Sequence, residues 1–200
     1  NNDTYRSLAD YIGYMNVVYY DPTDFSIFQG SPLLRRRFFD ILFCQISKDY
    51  LSASSEYKRL LKERNVLLKE LVVKNDKATK NILDVITKQL ITHGKKIINM
   101  RNKIVKKLEG FAFDTHKNLT NGKERFGLRY VPNVSIEEYD YKMEANLNED
   151  LMRGITMIGP HKDDYIFIIN NKNIGDYGSQ GQQKSAILSV KLASVELIYE

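Results

Sequence analysis

Apolar positions recur along this chain with two periods, and each change of period marks a new element. Residues 16–20 form a short run of aromatic and β-branched side chains stopped by Asp21-Pro22, the pattern of a buried strand ending at a turn. Pro22 opens a short helix to Gln29, which Gly30 ends. Ser31-Pro32 supplies an N-cap and a proline at the first helical position, launching an apolar helix through about Ile46. Across 50–73 the residues Tyr57, Leu60, Leu61, Leu67, Leu68, Leu71 and Val72 recur at helical spacing. A second stripe follows, in which Ile82, Ile86, Leu90, Ile97, Met100, Ile104 and Leu108 fall three, four or seven apart, with His93 in the gap. The connection 74–79 is short and polar, so the two helices should fold back antiparallel and bury their stripes on each other. At roughly 25 residues each they would make an arm about 35–40 Å long. His93 reads as a packing residue, since no second His or Cys lies one turn away.

Beyond Asn121-Gly122, a turn dipeptide, 125–131 reads as a strand, and Ser135 with Glu138 has the capping-box spacing for a helix to about Arg153. The period then switches from helical to alternating. Residues 155–158 and 164–169 are β-type runs, the second followed by the hairpin signal Asn170-Asn171. From Ser179 the chain is helical to its end. The pattern predicts a mixed α and β fold with an antiparallel helical arm between two mixed segments: 1–47, 48–118 and 119–200.

Composition narrows the function classes. With 200 residues, 42% of them hydrophobic, there is material for a real core, yet no apolar run is long enough to cross a bilayer. Neither a basic start nor an apolar signal stretch follows Asn1, so a cytoplasmic location is expected. The single cysteine, Cys44, excludes an internal disulfide and a multi-cysteine zinc site; it reads as core within the apolar run 38–46. Charge is unevenly placed. Residues 58–117 carry 16 basic and 6 acidic groups, whereas the segments on either side are slightly acidic, which points to a surface for a polyanion. Lys95, Lys96, Arg101, Lys103, Lys106 and Lys107 cluster within thirteen residues and are the candidate DNA contacts, of the phosphate-binding rather than base-reading kind. Lysine-rich helices are also commonly just solvated.

Candidate chemistry gathers in two places. Tyr177-Gly178-Ser179-Gln180-Gly181-Gln182-Gln183-Lys184 follows the β-type runs and opens a helix. Serine at the cap, small glycines and unpaired N–H groups at the positive end of a helix dipole make a tip suited to phosphate oxygens. Ser179 and Gln182 equally have the spacing of a capping box, which stabilises a helix without binding anything. The second place holds His161, Asp163 and Asp164 within four residues, open to two readings: a metal or general-base cluster, or a proline-forced loop whose aspartates face solvent or cap a strand entry. Of Arg35, Arg36 and Arg37, not all can share a helix face; one could pair with Asp40, and a nucleic-acid or partner contact is open to the others.

Ser-Gln-Gly-Gln-Gln-Lys at 179–184, followed by Leu188-Ser189-Val190-Lys191-Leu192-Ala193, resembles the signature motif of the RecF family, cassette-type ATPases related to the structural-maintenance-of-chromosomes proteins. Gly159-Pro160-His161-Lys162-Asp163-Asp164 resembles the block that precedes that signature. Pro22-Thr23-Asp24-Phe25, Gly30-Ser31-Pro32, Arg35-Arg36-Arg37-Phe38-Phe39-Asp40 and Leu60-Leu61-Lys62-Glu63-Arg64-Asn65 look like further blocks in the family's order. Thr23 stands where Glu is usual, and Lys162 and Lys184 where Arg is usual; lysine keeps the charge without the bidentate fork.

The resemblance implies part of a cassette ATPase head (1–47 and 119–200) with a helical lever arm between. It implies a protein that binds and hydrolyses ATP with Mg2+, forms an ATP-dependent homodimer, and holds DNA at gaps or junctions to help load a recombinase with RecO and RecR partners, in gap repair, replication restart and SOS induction. Ser179 is then expected to reach the terminal phosphate of ATP held by the other subunit, with Gly181, Gln182 and Gln183 around it. No Gly-x-x-x-x-Gly-Lys-Ser/Thr occurs, and no apolar strand ending in aspartate follows the signature helix, so no catalytic residue is expected within the chain and no metal ligand; those parts are expected before Asn1 and after Glu200. Another cassette-type DNA repair ATPase, or a non-catalytic helical adaptor with the same head shape, are the alternatives.

Overall fold

The computed structural model describes residues 17–74 and 76–200. A 3-10 turn, Pro22–Phe25, leads into α1 (Ser26–Gln29), then α2 (Pro32–Ile46), α3 (Lys48–Lys74) and α4 (Lys77–Leu119). Strand β1 (Phe126–Val131) is followed by α5 (Tyr139–Ala145), α6 (Leu147–Arg153) and a second 3-10 turn, Pro160–Lys162. β2 (Asp164–Ile169), β3 (Lys172–Asn173), α7 (Ile174–Tyr177) and α8 (Gln180–Tyr199) complete the order. Contacts divide the described residues into two units, 17–51 with 102–131 and 164–200, and 52–101 with 132–163. The division read along the sequence follows helix boundaries; these units cut across them, because 132–163 packs with the helical residues 52–101.

In the first unit β1, β2 and β3 form one antiparallel sheet in that order, with Phe126 opposite Ile169 and Val131 opposite Asp164. Asn170 and Asn171 adopt φ of 49° and 65°, the left-handed pair that a two-residue hairpin requires, as the dipeptide predicts. The inward residues Tyr165, Phe167 and Ile169 alternate along β2. They meet α2, where Phe39 and Phe43 are fully buried: the ring centroids of Phe39 and Tyr165 lie 4.1 Å apart, and Phe28 meets Phe167 edge-on at 5.0 Å. Helix α8 buries Ala186, Ile187, Val190, Ala193 and Leu197, which share one face of the helix. Cys44 lies half-buried on α2 rather than in this core.

The second unit is built on the facing stripes of α3 and α4. Leu68, Leu71 and Leu83 cluster with Leu67, Leu147 and Leu151, and Asp76 starts α4 by accepting hydrogen bonds from the Thr79 N–H (2.8 Å) and hydroxyl (2.7 Å). Helix α4 runs for 43 residues, about 65 Å, well past the length expected from the apolar stripe ending at Leu108. Ala112 and His116 extend that stripe at intervals of four and are fully buried.

Three further expectations are corrected. Residues 17–20 form no strand; Val17, Tyr19 and Tyr20 are exposed, and no strand among the described residues pairs with them, while Asn16 lies outside the described residues. The helix expected from Ser135 to Arg153 begins at Tyr139 and breaks at Asn146, whose side-chain amide turns to donate to Asp150 at 3.0 Å. Residues 155–158 are not β structure, because their N–H groups are taken elsewhere: Ile155 N–H donates to the Asp150 carbonyl at 3.2 Å, Thr156 N–H to Asn65 Oδ1 at 2.8 Å and Met157 N–H to Asp150 Oδ1 at 2.9 Å.

Candidate functional site: the signature tip and its support

The N-terminus of α8 forms a reciprocal capping box. Ser179 Oγ accepts from the Gln182 N–H at 3.2 Å, while Gln182 Oε1 accepts from the Ser179 N–H at 3.0 Å. The first intrahelical bond is Gln183 N–H to Ser179 C=O, so the N–H groups of Gln180 and Gly181 precede the ladder and point out of the helix end. Ser179, Gln180 and Gly181 are exposed, as is Lys184. As acceptor in the cap, Ser179 Oγ keeps its own proton to give to an incoming oxygen.

Gly181 is informative because nothing in the fold asks for it. A Cβ built there would meet only Ser179 Oγ, at 3.8 Å. By contrast, a Cβ on Gly178 would press on the Ile174 carbonyl at 2.6 Å. Gln183 does not share the tip surface: it is buried and donates to the Gly178 carbonyl at 3.3 Å, so it shapes the turn before the serine.

Pro160 opens a 3-10 turn in the Gly-Pro-His block, and Asp164 caps the entry to β2 by accepting from the Tyr165 N–H at 2.8 Å, whereas Asp163 does not face solvent. In the second unit, Asp163 is fully buried; its Oδ2 accepts from Arg101 at 2.7 Å and its Oδ1 from the Asn133 N–H at 2.8 Å. Arg101 also donates to the Pro160 carbonyl at 2.8 Å. The structure therefore removes Arg101 from the DNA-facing group: its guanidinium is committed inside the fold. His161 Nε2 lies 2.9 Å from the Thr156 carbonyl and so carries a proton, which leaves Nδ1 to accept from Tyr57 Oη at 2.8 Å. Burial pushes the Tyr57 hydroxyl well above its ordinary pKa, reinforced by the neighbouring Tyr139. Gly159, at φ 136°, lies so close to both tyrosines that a Cβ would fall 2.4 Å from each hydroxyl. Among the described residues no three His, Cys, Asp or Glu side chains are arranged to hold a metal ion.

Asp164 belongs to the first unit and pairs with Arg35 as a fork, Nε to Oδ1 at 2.6 Å and Nη2 to Oδ2 at 2.9 Å. Burial works against that carboxylate, but Arg35 and the Tyr165 N–H win and hold it below the usual range. Arg35 also donates to the carbonyls of Ile27 and Gly30, so it clamps the entry to α2 rather than offering itself to nucleic acid, and Asp40 accepts from the Tyr50 hydroxyl.

The remaining basic candidates divide by unit. In the second, Lys96 is exposed and Lys95 is half-buried against Asp140. In the first, Lys103, Lys106 and Lys107 are exposed, with Lys107 reaching Glu200 at 2.9 Å.

Two residues that carry no signal in the motif support the tip. Gln182 Nε2 donates to Glu124 Oε1 at 3.1 Å, and Glu124 Oε2 lies 3.1 Å from His116 Nε2. His116 was detectable as the polar member of the stripe Leu108, Ala112, His116, since a buried imidazole requires partners. Glu124 sits in the turn after α4, where no periodicity marks it.

No protein-family model matches the chain. It is 41% identical over 203 residues to the DNA replication and repair protein RecF of Pediococcus pentosaceus, across 96% of this chain and 54% of that protein. It is 40% identical over 204 residues to the protein of the same name from Bacillus cytotoxicus, across 97% and 54%. The chain thus spans about half the length of the curated relatives it matches. A solved structure of the recombination mediator protein RecF-ATPrS in the RecFOR pathway superposes with a TM-score of 0.90 at 26% identity, over 97% of this chain and 54% of that one. A second, of RecF-ATP in the same pathway, gives 0.87 at 27% identity, over 94% and 52%.

Proposed function

Because the chain belongs to the RecF family of DNA replication and repair proteins, we propose that it carries the ATPase signature that one subunit presents to nucleotide held by a second. Gly181 is the observation that carries this reading. A bare position in the first turn of the helix, two residues from an exposed serine and unneeded by packing, suits the close approach of a phosphate. A capping box alone needs Ser179 and Gln182 but gains nothing from glycine between them.

The tip fits a terminal phosphate: Ser179 Oγ can donate its proton, and the N–H groups of Gln180 and Gly181 precede the helix ladder. Gln182 holds the serine in place and Gln183 fixes the turn before it. ATP supplies the phosphoanhydride, and Mg2+ charge neutralisation, at a phosphate-binding loop in the complete protein; this chain's residues orient and close the far side of the composite site. The complete protein forms its homodimer around nucleotide and acts in the cytoplasm with RecR- and RecO-type mediators on single-stranded or junction DNA, in gap repair, replication restart and SOS induction. Lys96, Lys103 and Lys106 are exposed cations for DNA phosphates; Lys95 and Lys107 must first leave carboxylate partners.

Ser179→Asp in the complete protein separates phosphate site from simple cap. Aspartate caps as well as serine, so the thermal melt is unchanged; its carboxylate repels a phosphate, so ATP-dependent dimerisation in sedimentation and ATP hydrolysis are lost. Dimerisation equal to wild type would reduce Ser179 to a cap.

A further inference from the structure

The side-chain amide of Gln182 is used at both ends. Its oxygen takes the Ser179 N–H at 3.0 Å and its NH2 gives to Glu124 Oε1 at 3.1 Å, so a flipped amide would set N–H against N–H at one end and oxygen against carboxylate at the other. Glu124 is the fixed point. Its second oxygen lies 3.1 Å from His116 Nε2, and the His116 ring is fully buried, tilted against Phe126 with centroids 5.4 Å apart. On the ring's other side Nδ1 lies 3.0 Å from Ser189 Oγ, and that hydroxyl donates to the Ser185 carbonyl at 2.6 Å, so it accepts from Nδ1. Both ring nitrogens are therefore tied.

The geometry points to Glu124 as a positioning residue of the signature site: held by His116 in the last turn of α4, it orients the Gln182 amide, which in turn fixes the Ser179 backbone and hydroxyl at the tip. This inference rests on the phosphate reading of Ser179. The physical reason is that a glutamine in the first turn of an exposed helix end has freely rotating torsions unless both ends of its amide are bonded. Glu124 bonds Gln182 rather than Ser179, Gln180 or Gly181, so it acts through Gln182.

The relay also differs from ordinary helix capping. A Ser-x-x-Gln box needs two partners, both within α8 and its cap; here the box is bonded to a carboxylate 58 residues earlier in the chain. Removing that carboxylate should leave the box free to form but no longer hold it in one arrangement, which affects a reaction that needs sub-ångström placement more than it affects folding.

The test uses the complete protein that carries this chain, with steady-state ATP hydrolysis, nucleotide binding by calorimetry and a thermal melt. Glu124→Ala is expected to melt below wild type, because the buried His116 Nε2 loses its partner, yet to stay folded at assay temperature, bind ATP as wild type does, and turn over about ten- to a hundredfold more slowly at saturating ATP with KM unchanged. Glu124→Gln can still accept from Gln182 and offer an N–H to His116, so it restores most of the turnover. Should Glu124→Ala fail to fold, Gln182→Leu, which removes the amide at the exposed tip without touching the buried pair, is expected to give the same loss of turnover. Wild-type turnover in Glu124→Ala, or no recovery in Glu124→Gln, overturns the assignment while Ser179→Asp still abolishes hydrolysis. A Ser179→Asp protein that hydrolyses ATP normally instead overturns the phosphate reading and the relay with it.

Discussion

Replacing Arg64 by alanine tests whether the second unit is held by its buried charges or merely contains them. The guanidinium is 1% exposed and its partner Asp150 is 0% exposed, with Nη1 to Oδ2 at 2.7 Å. Arg64 also donates to Thr156 Oγ1 at 2.7 Å and, through Nε, to Thr87 Oγ1 at 2.9 Å. Deleting one member of a buried pair leaves the other charge dry, which costs about 3–5 kcal/mol. In a chain of this size each kcal/mol lowers Tm by about 2–4 °C, so Arg64→Ala should melt roughly 10 °C below wild type. With a urea slope of about 2 kcal/mol per molar, the midpoint should fall by about 2 M. Far-UV circular dichroism in a urea titration reads this directly. Arg59→Ala is the control: its pairs with Glu56 and Glu63 lie on the surface, where solvent and salt screen them, and its midpoint should not move measurably. Exchanging both Arg64 and Asp150 for apolar residues should not rescue stability, because Asp150 Oδ1 also accepts from the Met157 N–H and from Asn146, which would be left unsatisfied. An Arg64→Ala midpoint within about 0.5 M of wild type would mean that water reaches Asp150 and that the pair is not dry.

Two further outcomes are expected. Tyr57 and Tyr139 are both raised above the ordinary tyrosine value, chiefly by burial, so above about pH 10 the unfolded chain releases their protons while the folded chain retains them. Stability is then lost as pH rises past that value, and Tyr57→Phe should flatten the loss in urea midpoints measured from about pH 9 to 11; an unchanged slope would place the alkaline sensitivity elsewhere. In the complete protein, changing Lys96, Lys103 and Lys106 to Gln should weaken DNA binding and lower the salt slope by about one unit for each phosphate that is no longer neutralised, whereas an unaltered slope would move the DNA surface off this helix.

What the sequence discloses of this fold is what local chemistry decides. Proline at the start of α2, Asn170-Asn171 in the hairpin and Ser179 with Gln182 at the start of α8 are all found where the residue types place them, because caps and turns depend on neighbours within four positions. Residues 155–158 misled for the complementary reason. Isoleucine, threonine and methionine there suit a strand, but the N–H groups at 156 and 157 are taken by Asn65 and Asp150, and Asn65 is 91 positions away from Thr156. Arg101 misled in the same way: in sequence it is one more cation of a basic helix, and only its Asp163 partner, 62 positions on, withdraws it from the surface. Long-range partners of single polar groups leave no period to detect.

That contrast also explains how the family-like blocks divide their work. Arg64 and Asn65 of one block bind Thr156 and Asp150 inside the second unit, and Asp163 of another secures Arg101 there. The next residue, Asp164, serves the first unit instead, through the Arg35 fork. Arg64 and Asp163 are buried, and each satisfies a buried partner whose loss would leave a charge or an N–H unpaired, while Arg35 and Asp164 pair with one another at a half-buried position. Arg64 and Asp163 thus serve the packing of the second unit. The signature differs in kind: Ser179, Gln180 and Gly181 are exposed, and a Cβ at Gly181 would fill open space. Ser179, Gln180 and Gly181 satisfy nothing beyond their own helix end, unlike Gln182 with its bond to Glu124, and that is why the phosphate reading attaches to 179–181.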